Sequence, residues 1–242
     1  MKIQLSDHFD YPRLLRFVFP SVVMMVFTSI YSVVDGLFVS NYAGKTPYAA
    51  LNLIFPVLGI YGAVGFMIGT GGSAIVGRLL GEQKPEKANR CFSMMVEATV
   101  VSGVILTLAA ILLMRPIAIF LKAEGEMLEY CVLYGNVLSL ALVPFMLQNV
   151  FQSFLVTAER PKMGLWVTVA AGITNILLDF LFVAVFQWGL AGAAAATALS
   201  QGVGGLVPLL YFLSGRNEIL HLSWVKPDWG CCGPPAPMVF RR

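Results

Sequence analysis

Three carboxylates lie inside stretches of the sequence that otherwise carry no charge: Asp35, Glu97 and Asp179. Each stretch is long and apolar enough to cross a membrane as a helix. A charged side chain at the centre of a bilayer costs about 2.5–3.5 kcal/mol on insertion scales. Acidic residues are therefore rare at such positions, and they commonly belong to proton relays, ion sites or substrate pathways.

Two of the carboxylates share their depth with two other polar side chains. At about 1.5 Å of rise per helical residue, Asp35 lies about 9 Å and Asp179 about 12 Å from the outer ends of their helices. Thr197 lies about 10 Å into a later helix that starts from the same side. Asn175 precedes Asp179 by four residues, so both side chains point the same way. These four residues are expected to form one polar pocket in the outer half of the membrane.

Such a pocket suits reversible binding of a proton or of Na⁺. Burial and a neighbouring carboxylate both favour the neutral form of a carboxyl group, which lets it exchange a proton near neutral pH. When deprotonated, the oxygens of Asp35, Asn175 and Asp179 could hold Na⁺. Exchange of such an ion for a substrate is the basis of a secondary antiporter. The alternative is that each Asp pairs with a polar neighbour and only fixes the bundle; two acids at one depth favour the functional interpretation.

The other polar residues of the apolar stretches indicate a functional role less strongly. Glu97 lies about two turns from the cytoplasmic end of its helix, where it could snorkel to the interface or face a cytoplasmic cavity, and a structural role is favoured. Gln148, Asn149 and Gln152 share one stretch and either pack between helices or line a cavity.

The elements that must position these residues follow from composition. The chain has 242 residues, of which 58% are hydrophobic and 12% charged, whereas soluble domains have about 45–50% and about 25%. These values exclude a disordered chain, a collagen-like chain and a basic nucleic-acid binder, and they argue against a soluble enzyme. The four cysteines and two histidines form no metal-binding pattern. No cofactor is expected besides the coupling ion, H⁺ or Na⁺.

Six apolar stretches predict six transmembrane helices and an all-α fold. Within one membrane unit at 14–213, segments 1 to 6 are predicted at 14–41, 48–79, 91–114, 127–157, 163–187 and 190–213. Residues 1–13 precede this unit as an N-terminal extension, and 214–242 follow it as a tail. After Trp229 the tail departs from all that precedes it, and it is expected to be disordered or to be an aberrant reading of a longer protein.

The basic residues predict the orientation of the segments. Of the 16 Lys and Arg residues, all but Lys45, Arg115 and Lys122 fall on the side of the N-terminus. Cytoplasmic loops of membrane proteins carry an excess of Lys and Arg. Both termini are therefore expected in the cytoplasm, and the protein is expected in the cell membrane, among lipids and without a nucleic-acid partner.

Prolines and small residues shape the predicted helices. Pro20, Pro56, Pro144 and Pro208 lie inside segments and are expected to bend them. Segment 2 is rich in glycine, and segment 6 in glycine and alanine, which predicts close packing between helices.

Four short motifs occur in a fixed order along the chain: FPS at 19–21 followed by VDGLFV at 34–39, GRLLGE at 77–82 followed by KA at 87–88, TNILLD at 174–179, and GLAGAAAAT at 189–197. In this order and spacing they resemble the N-terminal lobe of prokaryotic transporters of the multidrug and toxic compound extrusion (MATE) family, over nearly all of residues 10–225.

The resemblance implies an antiporter that expels cationic, amphipathic compounds in exchange for H⁺ or Na⁺. It places the family's cation-coupling group on Asp35, Asn175, Asp179 and Thr197, and it matches Pro20 to the proline at which the first helix bends on protonation. Family members have twelve helices in two six-helix lobes, with the drug path between the lobes. This chain is therefore expected to be a truncated form, one lobe that pairs with a second lobe or with itself.

Three other functions fit parts of the pattern. A flippase for a lipid-linked substrate needs basic residues to meet phosphates, and the membrane interior here holds acids but no Lys or Arg. Intramembrane aspartyl proteases carry Tyr-Asp or Gly-x-Gly-Asp, whereas Asp35 follows Val-Val and Asp179 follows Leu-Leu, so no enzyme activity is expected. A non-transporting lobe, or a half-transporter that needs a partner, is the main alternative, and the unusual tail favours it.

Overall fold

The computed structural model describes residues 11–215 and 219–222, and the regular structure there is entirely helical. Two of the α-helices continue into wide, π-helical turns. One turn, Val39–Ala43, follows the first α-helix, and the other, Phe180–Val185, follows the sixth. The predictions for residues 1–10 and for the tail beyond residue 222, including the stretch after Trp229, lie outside the described residues. The α-helices of the described part are α1 Tyr11–Phe38, α2 Lys45–Gly81, α3 Pro85–Phe120, α4 Gly125–Leu140, α5 Leu142–Thr157, α6 Pro161–Asp179 and α7 Gly189–Leu213.

Within the described ranges, five helices are long and apolar enough to cross a membrane, and the bent pair α4 and α5 makes six if it is counted as one span. Each predicted segment overlaps one of these elements, so the all-α membrane fold is confirmed, with five or six spans. Two helices are longer than predicted, with 37 residues in α2 and 36 in α3. Their ends carry polar residues, which apolarity alone cannot assign to a helix. Pro85 suits the first turn of α3 because that position needs no N–H donor.

Segment 4 is broken where a proline was expected to bend it. α4 ends at Leu140, α5 begins two residues later, and their axes meet at 56°. Pro144 explains the break, because a proline has no N–H to donate to the carbonyl four residues earlier, here that of Leu140, and its ring clashes with it. By contrast, α1, α2 and α7 pass through Pro20, Pro56 and Pro208 without interruption.

The helices form a series of close neighbours. α1 packs mainly against α6, α6 against α7, and α7 against both halves of the bent span, while α2 packs against α5, α4 and α3. Glycines bring α2 and α5 together: a Cβ atom on Gly65 would lie 2.8 Å from the Cα of Met146, and one on Gly69 would lie 2.9 Å from that of Val150. Small residues thus let the two backbones meet, as predicted for segment 2.

Apolar side chains form two cores at different depths. The outer core lies towards the turn at 121–124 and includes Ile54 and Val183. The inner core lies towards the turn at 158–160, where the rings of Phe92 and Phe154 meet edge to face with centroids 4.8 Å apart. The terms outer and inner denote these two ends of the bundle below.

A short segment after α7 covers the inner core. Leu220 is 0% exposed and packs among the inner-core side chains. The backbone N–H of His221 donates to Oδ1 of Asn89 at 3.0 Å, and that of Leu222 donates to the carbonyl of Phe212 at 3.2 Å. This segment therefore connects the start of α3 to the end of α7.

Candidate functional site

Asp35 and Asp179 face each other where α1 meets α6. Asp35 is half-buried near the end of α1, and Asp179 is the last residue of α6, with 0% of it exposed. Their carboxyl groups lie within hydrogen-bonding reach of each other. The structure thus brings together the two carboxylates that the sequence places at one depth.

Asn175 and Thr197 complete the group. Asn175 is 1% exposed and lies one turn before Asp179 on α6. Its Nδ2 donates to Oγ1 of Thr197 on α7, at a long 3.4 Å. All four residues predicted for the pocket therefore lie around the contact of α1, α6 and α7, and we call them the carboxylate cluster.

The carboxylate cluster contains buried oxygens that receive no hydrogen bond. In the described part of the chain, four such oxygens belong to it: Oδ1 of Asp35, Oδ1 and Oδ2 of Asp179, and Oδ1 of Asn175. A buried acceptor without a partner costs about 1–3 kcal/mol, and more when it is charged. A proton on a carboxyl group, or a bound cation, would supply what these oxygens lack.

The donor set also fits an alkali cation. The described residues hold no group of three or more His, Cys, Asp and Glu side chains, the usual basis of a transition-metal site. The cluster instead offers two carboxylates, an amide oxygen and a hydroxyl, and hard cations bind such oxygen ligands. Na⁺ could thus be held by Asp35, Asn175 and Asp179, and a proton by either of the two carboxylates.

The backbone next to both aspartates is unusual. Asp179 directly precedes the π-helical turn Phe180–Val185, and Asp35 lies four residues before the π-helical turn Val39–Ala43. The two turns contact each other, and both contact α7. Wide turns of this kind are rare and occur often at functional sites. Apolar periodicity carries no signal for them, so they could not be predicted from the sequence.

Two tyrosines beside the cluster were also missed. The hydroxyl of Tyr31 lies within hydrogen-bonding reach of the side chains of Thr28 and Gln148 and within electrostatic range of Asp35. Tyr134, on α4, is 1% exposed and lies close enough to both carboxylates to interact with their charge. Tyr31 precedes Asp35 by four residues, a spacing that could have revealed it. Tyr134 is distant in sequence from every other member, so only the packing of α4 identifies it.

The three polar residues of segment 4 take different positions. Gln148 is buried between Tyr31 on α1 and Gly204 on α7. Nε2 of Gln152 donates to Oγ1 of Thr168 on α6 at 3.3 Å. Asn149 donates to a backbone carbonyl of its own helix at 3.2 Å. Gln148 and Gln152 therefore connect helices, which fits the packing interpretation.

Two further predicted residues lie away from the cluster. Pro20 is buried within α1, towards its inner half. Glu97 is exposed on the surface of α3 and does not join Asp35 and Asp179.

Comparison with known proteins identifies relatives along most of the chain. The model of the MatE family matches residues 20–181. The multidrug export protein MepA of Staphylococcus saprophyticus is 27% identical over 215 residues, which are 88% of this chain and 48% of that protein. MepA of Staphylococcus aureus strain MRSA252 is 24% identical over 219 residues, 90% of this chain and 49% of the relative. The chain thus spans about half the length of the relatives it matches.

Solved structures share the fold. The crystal structure of a MATE protein in the bent conformation superposes with a TM-score of 0.84 at 24% identity, over 90% of this chain and 49% of that one. A MOP-superfamily transporter from Pyrococcus furiosus, described as having a binding pocket of reverse polarity, gives a TM-score of 0.83 at 24% identity, over 90% and 48%. In both cases the described helices correspond to about half of the larger protein.

Proposed function

The chain belongs to the MatE family of multidrug and toxic compound extrusion transporters, and from this premise we propose that it acts as one six-helix lobe of a secondary antiporter. In this proposal the lobe takes up H⁺ or Na⁺ from the outer side and couples its inflow to export of cationic, amphipathic compounds. The names of the staphylococcal relatives, multidrug export proteins, support multidrug export as the activity of the whole transporter.

The proposal rests chiefly on the unpartnered oxygens of the carboxylate cluster. Asp179 is fully buried, and neither of its oxygens receives a hydrogen bond from a described residue. A site built only to hold helices together would pair such acceptors with donors. Acceptors that are left open suit a ligand that comes and goes, and a proton or Na⁺ meets that requirement.

The charge of the cluster acts on the contact between α1 and α6. Two unit charges about 4 Å apart repel by about 4 kcal/mol at an effective dielectric constant of about 20. Because α1 packs mainly against α6, repulsion between Asp35 and Asp179 weakens the principal contact of α1. Binding of H⁺ or Na⁺ removes the repulsion and favours the closed contact. An ion that binds one arrangement better than another shifts the population accordingly.

We propose that α1 bends at Pro20. A proline inside a helix removes one backbone hydrogen bond and lowers the cost of bending there. Pro20 and Asp35 lie on the same helix, so a change at the α1–α6 contact can be relieved by bending at Pro20.

The membrane setting and the partners follow from the same reasoning. The excess of Lys and Arg on one side supports a cytoplasmic position for both termini. A second six-helix lobe would complete the substrate path. The acidic pocket favours cations over the phosphates of a lipid-linked substrate, which makes a flippase the weaker candidate.

Efflux of ethidium, a cationic amphipathic dye, tests the proposal. The chain is expressed in a bacterial strain without its main efflux pumps, alone and together with the C-terminal half of the Staphylococcus saprophyticus relative. We expect lower ethidium accumulation with both halves present, and loss of this effect in Asp179→Asn. Glu97→Gln, which neutralises an exposed carboxylate of α3, is the matched control and should retain efflux.

Two other outcomes of the efflux experiment would contradict the proposal. Efflux that survives both Asp35→Asn and Asp179→Asn would overturn the coupling role of the cluster. Absence of efflux in every combination, with all chains present in the membrane, would favour a non-transporting lobe.

A further inference from the structure

A close approach between α7 and the turn that extends α6 occurs at Gly192, within the motif at 189–197. A Cβ atom at Gly192 would lie 3.0 Å from both the Cβ and the carbonyl oxygen of Phe182, and 3.1 Å from its carbonyl carbon. Carbon atoms in optimal contact are about 3.5–4.0 Å apart. Any residue larger than glycine would therefore require one of the two segments to move.

Phe182 is held in place on its far side. The backbone N–H of Trp188 donates to the carbonyl of Phe182 at 2.9 Å. The Phe182 ring stacks with Trp188 at a centroid distance of 5.0 Å and with Phe186 at 6.2 Å. The next residue, Val183, is 1% exposed and packs in the outer core. The π-helical turn cannot move away from Gly192 without disturbing these contacts.

α7 is held in the same way at its other end. Gly205 lies directly against the backbone of Pro144, and Gly204 lies against the side chain of Gln148. Both contacts are with α5, so α7 is also packed against a second helix. Both partners of the Gly192 contact are therefore held by other segments.

The carboxylate cluster lies immediately beside this contact. On one side of the contact, Phe182 lies three residues after Asp179. On the other side, Thr197 lies five residues after Gly192. Each segment therefore connects the contact to a member of the cluster. The hydrogen bond from Asn175 to Thr197 is already long at 3.4 Å. A further separation of a few tenths of an ångström takes it beyond the range of a hydrogen bond and displaces Asp179 relative to Asp35.

We propose that Gly192 is a positioning residue: by seating α7 directly on the backbone of Phe182, it holds Asp179, Asn175 and Thr197 at the separation that cation binding requires. This inference rests on the proposed function of the cluster. It assigns a specific task to one glycine of a segment whose other small residues need only allow general packing.

The test compares two glycine substitutions on the same helix. Gly192→Ala introduces a methyl group at the contact, whereas Gly202→Ala is the matched control, since a Cβ there would have nothing within 4 Å. Purified protein is titrated with H⁺ and with Na⁺ while infrared difference spectra follow the protonated carboxyl band, with Asp179→Asn to assign it. We expect Gly192→Ala to raise the half-saturating concentration of the responding ion about tenfold, as loss of an outer-shell support does for bound metals. Gly202→Ala should match wild type.

A second variant keeps the test decisive if Gly192→Ala folds poorly. Trp188→Ala removes the ring that stacks on Phe182, so the turn can move away from Gly192 and the same separation arises without a larger side chain on α7; this variant should also raise the half-saturating ion concentration. A folded Gly192→Ala that titrates like wild type would overturn the proposal, and so would a folded Trp188→Ala that titrates like wild type. A wild-type protein without any carboxyl response that depends on Asp179 would instead overturn the proposed function.

Discussion

Replacing Asp179 with asparagine is predicted to stabilise the protein while abolishing its response to cations. Asparagine has nearly the shape of aspartate but carries no charge and supplies two N–H donors. One of those donors would lie within reach of the carboxyl group of Asp35, whose Oδ1 is buried without a hydrogen bond. The substitution thus satisfies an acceptor that the native cluster leaves open and removes one of its two negative charges.

The magnitude follows from the number of oxygens affected. One buried acceptor that gains a partner recovers about 1–3 kcal/mol, and we take about 2 kcal/mol as the net gain. For a chain of this size that corresponds to a rise in Tm of about 4–8 °C. The gain should be larger at alkaline than at acidic pH, because a protonated carboxyl already supplies a donor inside the cluster.

Thermal unfolding of the purified protein in detergent, at several pH values, measures this effect. Glu97→Gln is the control, because it also neutralises a carboxylate within a membrane span but at an exposed position. It should leave Tm within about 1 °C, as surface substitutions usually do. A fall in Tm for Asp179→Asn, or an equal rise for Glu97→Gln, would refute the reasoning from unpartnered oxygens.

Three further predictions concern packing and the cluster. Gly65→Ala should cost about 1–3 kcal/mol, measured by thermal unfolding, because its Cβ would lie 2.8 Å from the α5 backbone; Gly59→Ala, with open space, should be neutral, and equal effects would contradict the close contact. Leu220→Ala should cost about 2–5 kcal/mol by the same measurement, since it empties a fully buried position, and an unchanged Tm would contradict that burial. Thr197→Val removes the acceptor of Asn175 and should raise the half-saturating cation concentration about tenfold in a carboxyl titration, whereas an unchanged value would exclude Thr197 from the site.

The membrane fold could be predicted from the sequence because its strongest signal is local. Long uncharged stretches need no knowledge of partners, since the bilayer alone selects them. The break near Leu140 was predictable for the same reason, because Pro144 acts on its own helix. Helix ends were less well predicted: α3 extends to Pro85 and Phe120, well past the apolar stretch at 91–114.

Those members of the carboxylate cluster that share a depth in the membrane, or a helix face, could be predicted from the sequence. The helical rise placed Asp35, Asp179 and Thr197 at one level, and spacing added Asn175. Depth does not reveal which helices are neighbours, so Tyr134 on α4 could not be found. The π-helical turns arise from packing between segments, and apolar periodicity cannot predict them.

The most direct test of the account is an infrared titration of the buried carboxyl groups in the purified wild-type protein, compared with the double variant Asp35→Asn/Asp179→Asn. We predict a protonated carboxyl band in wild type that disappears as pH rises or Na⁺ is added. The band should persist in Glu97→Gln and be absent from the double variant. The same pH- or Na⁺-dependent band in the double variant would show that the cation response originates elsewhere, and would contradict the assignment of coupling to Asp35 and Asp179.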